Sequence, residues 1–233
     1  YSSAASDVYK RQSQDRETQA RGQDLEAISF VAVICLLLVA VAFSPLGLGG
    51  GILYVPIMHY MLDWEIKESL VASLTLVLMV ALGSSMAHSK SGHADKKVAK
   101  LGRISAVPSA VVGVILSGAL LSAVGDIGIK IIASIIVFFV IERTLRKTLA
   151  KDESEAVEVP VSTKKSQYIA GSSFAGLSAG ILGIGGGAIL VTLNRSILKM
   201  DAKKAAGTSY LVAATTTPVA LVSHLILSRN LST

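Results

Sequence analysis

The feature that most constrains this chain is a set of long stretches without charge. Asp, Glu, Lys and Arg are absent from residues 27–62, 69–89, 104–125, 166–194 and 205–228. A run of about 18 or more apolar, uncharged residues is long enough to cross the hydrocarbon core of a bilayer as a helix. Five such windows in 233 residues exclude a soluble enzyme, a nucleic-acid binder and a disordered chain. The charged residues that exist are crowded elsewhere: 26 of 38 fall in residues 1–26, 90–103 and 142–165. The net charge of +6 therefore belongs to loops, where it sets membrane orientation, and no basic patch carries the interleaved aromatics that nucleic acid requires. Cys35 is the single cysteine and cannot form an intrachain disulfide. An aromatic content of 5% argues against a haem or quinone pocket, and no cofactor or metal is expected. The fold class is an all-α polytopic membrane protein.

Segments are expected at 27–46, 50–62, 67–89, 101–123, 127–147, 167–183, 186–198 and 204–228. A 20-residue helix covers about 30 Å, so the short segments 50–62 and 186–198 cannot cross as straight, independent spans. Each follows a glycine cluster, which points to a broken or re-entrant helix. Residues 1–26 are polar, mixed in charge and without apolar period. They are expected to be a disordered, non-native extension and have no signal-peptide pattern. Residues 150–165, with Lys151-Asp152-Glu153-Ser154-Glu155 and Pro160, read as a solvated cytoplasmic linker.

That linker separates two copies of one unit, 27–149 and 166–233. Leu46-Gly47-Leu48-Gly49-Gly50-Gly51 returns as Leu182-Gly183-Ile184-Gly185-Gly186-Gly187, 136 positions later. At that offset, without a gap, Val55 falls on Val191, Leu62 on Leu198, Lys67 on Lys203, Ser73 on Ser209 and His88 on His224. Apolar bias would match some Leu and Val, but not four glycines, a Lys, a Ser and a His in one register. After His88 the first copy continues through a basic loop and two spans, whereas nine residues follow His224, so the second repeat is expected to be truncated.

Loops 90–103 and 142–165 are rich in Lys and Arg and are expected to be cytoplasmic. The equivalent short loops differ: residues 63–68 hold one Lys and residues 199–204 hold three. Opposite bias at equivalent loops implies opposite sides of the membrane, an inverted-topology repeat. On this reading each short segment, with its glycine loop, completes a crossing.

A Gly-x-Gly-Gly-Gly interruption before a short helix has a physical use. Glycine brings backbone N–H groups close to a ligand without a Cβ in the way, and the following half-helix presents unpaired donors and a positive dipole end. Two such breaks meeting near the midplane make an anion site of the secondary-transporter kind; the alternative is that the glycines serve helix packing. The pattern Gly-x-Gly-Gly-Gly-x-x-x-Val-Pro (Gly47 to Pro56), a Thr-Ser near the start of the next span and a basic loop, duplicated, resembles the TauE/SafE family of sulfite exporters and related permeases. The resemblance covers about residues 27–228. It implies ion-coupled export of sulfite or a small organosulfur anion, with proton or sodium as coupling ion, by a multi-pass protein of the cytoplasmic membrane. Two departures stand out. The second copy has Thr192 where the family has Pro, and the first has Ala72-Ser73 where Thr-Ser is usual, while Thr208-Ser209 keeps it. The two half-sites are therefore not expected to be equivalent.

The candidate substrate-binding residues are Gly47, Gly49, Gly50, Gly51, Ser73, Gly183, Gly185, Gly186, Gly187, Thr208 and Ser209. A hydroxyl in such a helix also has a bland use, bonding its own i−4 carbonyl. His88 and His224 are candidates for proton coupling, or interfacial residues at span ends. Arg195 reads as a side chain reaching toward the interface near Lys199. Gly176-Leu177-Ser178-Ala179-Gly180 matches a nucleophile elbow, but an elbow needs a strand before it, and Gly176 and Gly180 also form a small-xxx-small packing face. The competing functional classes are a passive anion channel and an intramembrane serine hydrolase using Ser178.

Overall fold

The computed structural model describes residues 25–149 and 158–230. The expectations for the N-terminal extension and for the first half of the linker fall on residues 1–24 and 150–157, outside the described residues. The described chain is helical throughout: α1 (Leu25–Phe43), α2 (Gly51–Met61), α3 (Ile66–Lys90), α4 (Lys96–Leu149), α5 (Lys165–Leu182), α6 (Gly187–Ile197) and α7 (Ala202–Asn230). Gly125, at φ 62° and ψ −169°, breaks α4 into two arms close to the expected segments 101–123 and 127–147. Asp95 caps the first arm, its Oδ1 accepting the N–H groups of Lys97 and Val98. α1, α3, Lys96–Leu120 of α4 and Ala202–Leu227 of α7 are each long and apolar enough to span a membrane.

The exposed surface is apolar, unlike that of a water-soluble bundle, and the interior mixes hydroxyl side chains with apolar ones. Leu37, Leu38, Val41, Met79, Ile104, Val112 and Ile115 are exposed, while Ser69, Ser73, Ser105, Ser172, Asn194, Thr208, Ser209, Thr216 and Thr217 are buried. A lipid-facing surface gains nothing by hiding leucine, and hydroxyls save desolvation by bonding one another inside. Ser105 and Ser172 do so between α4 and α5, at 2.5 Å.

The duplicated register extends to the backbone. Gly50 and Gly186 cap α2 and α6 at φ 78° and 69°, in left-handed conformations that other residues adopt only at a cost. Both short helices also end alike, on left-handed Asp63 (φ 55°) and Lys199 (φ 57°). The N–H of Trp64 reaches back to the Met58 carbonyl at 3.3 Å, and that of Met200 to the Asn194 carbonyl at 3.2 Å.

The short helices do not complete a crossing, which corrects the sequence expectation. The start of α1 (Leu25, Ile28) and the end of α2 (Met58, Met61, Leu62) line one cavity, so α2 turns back to the end from which α1 set out. In the second copy, the Val159 N–H just before α5 bonds the Leu198 carbonyl just after α6, at 2.9 Å. Eleven residues cover only about 16 Å, enough to return from the middle but not to cross.

An inverted arrangement does not need those crossings, and the positions of the two loops fit one. Loop 62–65 leads directly into α3, whereas loop 199–204 lies beyond its far end, where Lys204 Nζ contacts Asp95 Oδ2 at 3.9 Å and pairs with Glu158 Oε1 at 2.6 Å. The 25 residues of α3 put about 37 Å between them. Cysteines introduced at the aligned positions Lys67 and Lys203, in a Cys35→Ala background, are expected to react with an impermeant thiol reagent from opposite sides of the membrane. Labelling from one side only would refute the inverted arrangement.

Candidate functional site

The two glycine breaks touch each other, and they do so reciprocally. A Cβ on Gly51 would strike the carbonyl oxygen of Ile184, and one on Gly187 would lie 3.0 Å from the Gly47 carbonyl and 3.5 Å from that of Leu48. Leu48 and Ile184 are equivalent positions, so each break presses on the other as a two-fold relation demands. Ser73 Oγ ties them further, donating to the Gly183 carbonyl at 2.8 Å across 110 positions of sequence. Neither Gly50 nor Gly186 supplies a side-chain cap, which leaves the first-turn N–H groups of both half-helices to other acceptors. No Asp, Glu, Lys or Arg occurs in residues 27–62 or 166–194, which hold both breaks.

Val77, near the middle of α3, stands at this contact. It packs against the Cβ positions of Gly51 (2.8 Å), Gly49 (3.7 Å) and Gly185. Its equivalent in the second copy is the smaller Ala213, also buried.

The walls of the two breaks differ. Beside the first, Tyr54 lies over Gly50, its hydroxyl 2.5 Å from the Cβ position. Tyr210 Oη donates to the Ser44 carbonyl at 2.7 Å, Ser44 and Ser84 pair through their hydroxyls at 2.8 Å, and His88 stacks on Tyr210 at 6.0 Å. The equivalents of Tyr54, Ser44, Ser84 and Tyr210 are Leu190, Gly180, Ala220 and Leu74. The second break thus lacks that hydroxyl wall and faces Thr217, whose Oγ1 is 3.4 Å from the Gly185 Cβ position.

The remaining candidates are distributed as follows. Thr208 Oγ1 accepts the Asp95 N–H at 3.0 Å and so holds the α3–α4 loop against α7. Ser209 Oγ accepts from Asn194 Nδ2 at 3.1 Å, linking α7 to α6. His224 Nε2 donates to the Gly180 carbonyl at 2.7 Å, whereas His88 lines an open groove of about 520 Å³ with Ala40, Ser44, Gly83 and Ser84. The two histidines are equivalent in sequence but not in surroundings. Arg195 is half-buried in the last turn of α6, away from the breaks. Gly176 and Gly180 press on the α4 backbone, and among the described residues there is no strand to build an elbow around Ser178. No cluster of three His, Cys, Asp or Glu side chains suited to a metal occurs among the described residues.

Sequence reasoning passed over Tyr54, Val77, Asn194, Tyr210 and Thr217. Asn194 carried a usable signal, as a carboxamide inside an uncharged window, where a polar side chain needs an interior partner. The tyrosines and Val77 carried none, since their importance lies in contacts across the repeat.

A family model described as "Sulfite exporter TauE/SafE" matches residues 32–232. No curated protein and no solved structure matches the chain significantly.

Proposed function

The chain belongs to the sulfite exporter TauE/SafE family, a family of membrane transporters, and from that membership we propose that it exports a small oxyanion, sulfite or an organosulfur anion, by secondary transport. The observation that carries this reading is the direct contact of two uncapped half-helix N-termini, in stretches of sequence that hold no Lys or Arg. The substrate is held by the N–H groups around Gly49–Gly51 and Gly185–Gly187 rather than by a full charge. Dipoles suit transport: a buried Lys or Arg would cost several kcal/mol to desolvate and would release an anion slowly. Gly47 and Gly183 give each copy its entry to the turn, while Ser73, Thr208 and Ser209 hold the surrounding helices in register. His88 and His224 are the groups through which a proton would couple, with sodium the other candidate ion. The working location is the cytoplasmic membrane, with loops 90–103 and 142–165 inside.

Counterflow of labelled sulfite, sulfate, acetate and taurine into proteoliposomes tests this. Saturable exchange of sulfite, accelerated by an imposed ion gradient, is the expected result. Flux indifferent to every ion gradient would identify a passive channel, and no saturable exchange of any anion would refute the transporter reading.

A further inference from the structure

The sequence Thr215-Thr216-Thr217-Pro218 on α7 contains three hydroxyls with two different fates. Thr215 and Thr216 donate to the Val212 carbonyl, at 2.8 and 3.1 Å, as helical threonines commonly do. Thr217 Oγ1 is fully buried and has no hydrogen-bond partner among the described residues. A buried hydroxyl left unpaired is costly, so its retention asks for a ligand. It lies 3.4 Å from the Cβ position of Gly185, directly before the uncapped N-terminus of α6. Pro218 adds freedom at this level, because its missing N–H leaves the Ala214 carbonyl without its helical donor and loosens α7.

We propose that Thr217 is a ligand of the transported oxyanion and that binding is asymmetric, centred on the second glycine break. This ligand role rests on the transporter reading above and extends it to a residue outside the duplicated motif. The equivalent of Thr217 in the first copy is Ala81, which has no hydroxyl, and the first break is already walled by Tyr54 and Tyr210. The Ser73 proton is committed to the Gly183 carbonyl. Thr217 has a free proton, and Gly185 beside it lies two residues before the first turn of α6, whose N–H groups and positive dipole end favour an anion. An oxyanion there takes one hydrogen bond from the hydroxyl and others from the backbone. Val77 stands against Gly185, so its side chain must shift for the anion to enter.

The test uses two variants and two readouts, sulfite counterflow in proteoliposomes and sulfite-dependent thermal stabilisation of the purified protein in detergent. Thr217→Val keeps the shape and deletes the hydroxyl; it is expected to raise half-saturation about ten-fold or more in both readouts. The same variant without sulfite should melt no lower than the parent, because it removes an unpaired buried polar atom. Thr217→Ser should stay within about three-fold of the parent in half-saturation. Parental half-saturation in Thr217→Val, a lowered melting temperature of that variant, or equal losses in both variants would overturn the assignment. If sulfite stabilises the parent but is not exchanged, the transporter reading fails while the site is still decided by the thermal readout. If the parent exchanges sulfite and Thr217→Val matches it, the site fails and the transporter reading stands. If sulfite neither stabilises the parent nor is exchanged, both fail.

Discussion

Gly51→Ala is expected to reduce sulfite exchange to background while leaving the protein in the membrane. By local preference alone the change should help, because Gly51 sits in a helix and alanine is favoured there by about 1 kcal/mol. Tertiary contact reverses the sign. The new methyl would meet the Ile184 carbonyl oxygen and its carbon (2.7 Å), with Val77 Cγ2 at 2.8 Å. Val77 can rotate, but a backbone carbonyl in the opposite glycine break cannot. The two half-helices must separate, at a cost of roughly 1–3 kcal/mol for an overfilled contact. That separation also misplaces the N–H groups of α2 and α6 relative to one another. Gly83→Ala is the matched control, since a Cβ there meets nothing within 4 Å and the residue is helical. It should exchange like the parent and melt no lower. Normal exchange by Gly51→Ala would mean that the contact between the breaks has no part in binding.

The parts of this arrangement legible in the sequence are those written in short-range pattern. Uncharged windows located the helices, and the offset of 136 placed Gly50 and Gly186 in the same role, which their matching left-handed backbones bear out. The pairing of Asp63 with Lys199 as left-handed terminators was hidden, because an acidic and a basic residue share no identity although the backbone treats them alike. The direction of the short helices was hidden too. Apolar length says how far a segment reaches but not whether it turns back, and that is decided by α1 and α2 packing into one cavity with Ala72 and Leu76 of α3. Hydroxyl roles were the least legible. Ser73 and Ser209 match in register, yet one donates across the repeat and the other accepts from Asn194, an acceptor relation that no spacing rule encodes. Thr217 lies eight residues past Ser209 in a run of three threonines, and only the partners of its neighbours set it apart.

The second large effect is expected at Gly180, where the fold rather than the transport step is at stake. α5 lies on α4 at backbone distance: a Cβ on Gly180 would strike the Ala110 carbonyl and lie 2.7 Å from the Val114 nitrogen. One on Gly176 would strike the Ala106 carbonyl, and one on Gly113 of α4 would strike the Leu177 carbonyl in return. Between helices in lipid there is no hydrophobic gain to offset a poor fit, so close contact of small residues supplies most of the attraction. Gly180→Leu would force α4 and α5 apart along this seam. It would also displace the Gly180 carbonyl from His224 and the Ile181 carbonyl from Ser117, which donates to it at 3.3 Å. The expected loss is about 3 kcal/mol or more, read as a melting temperature lowered by roughly 10 °C and a fall in folded yield. Ser178→Ala, between the two glycines on the same helix, removes a single hydroxyl and should cost about 1 kcal/mol or less, with sulfite exchange intact. The pair of variants separates the two readings of Gly176-Leu177-Ser178-Ala179-Gly180. If the glycines are a packing face, the damage follows Gly180 and spares Ser178. If the run were a nucleophile's turn, Ser178→Ala would abolish activity in a protein that still melts like the parent.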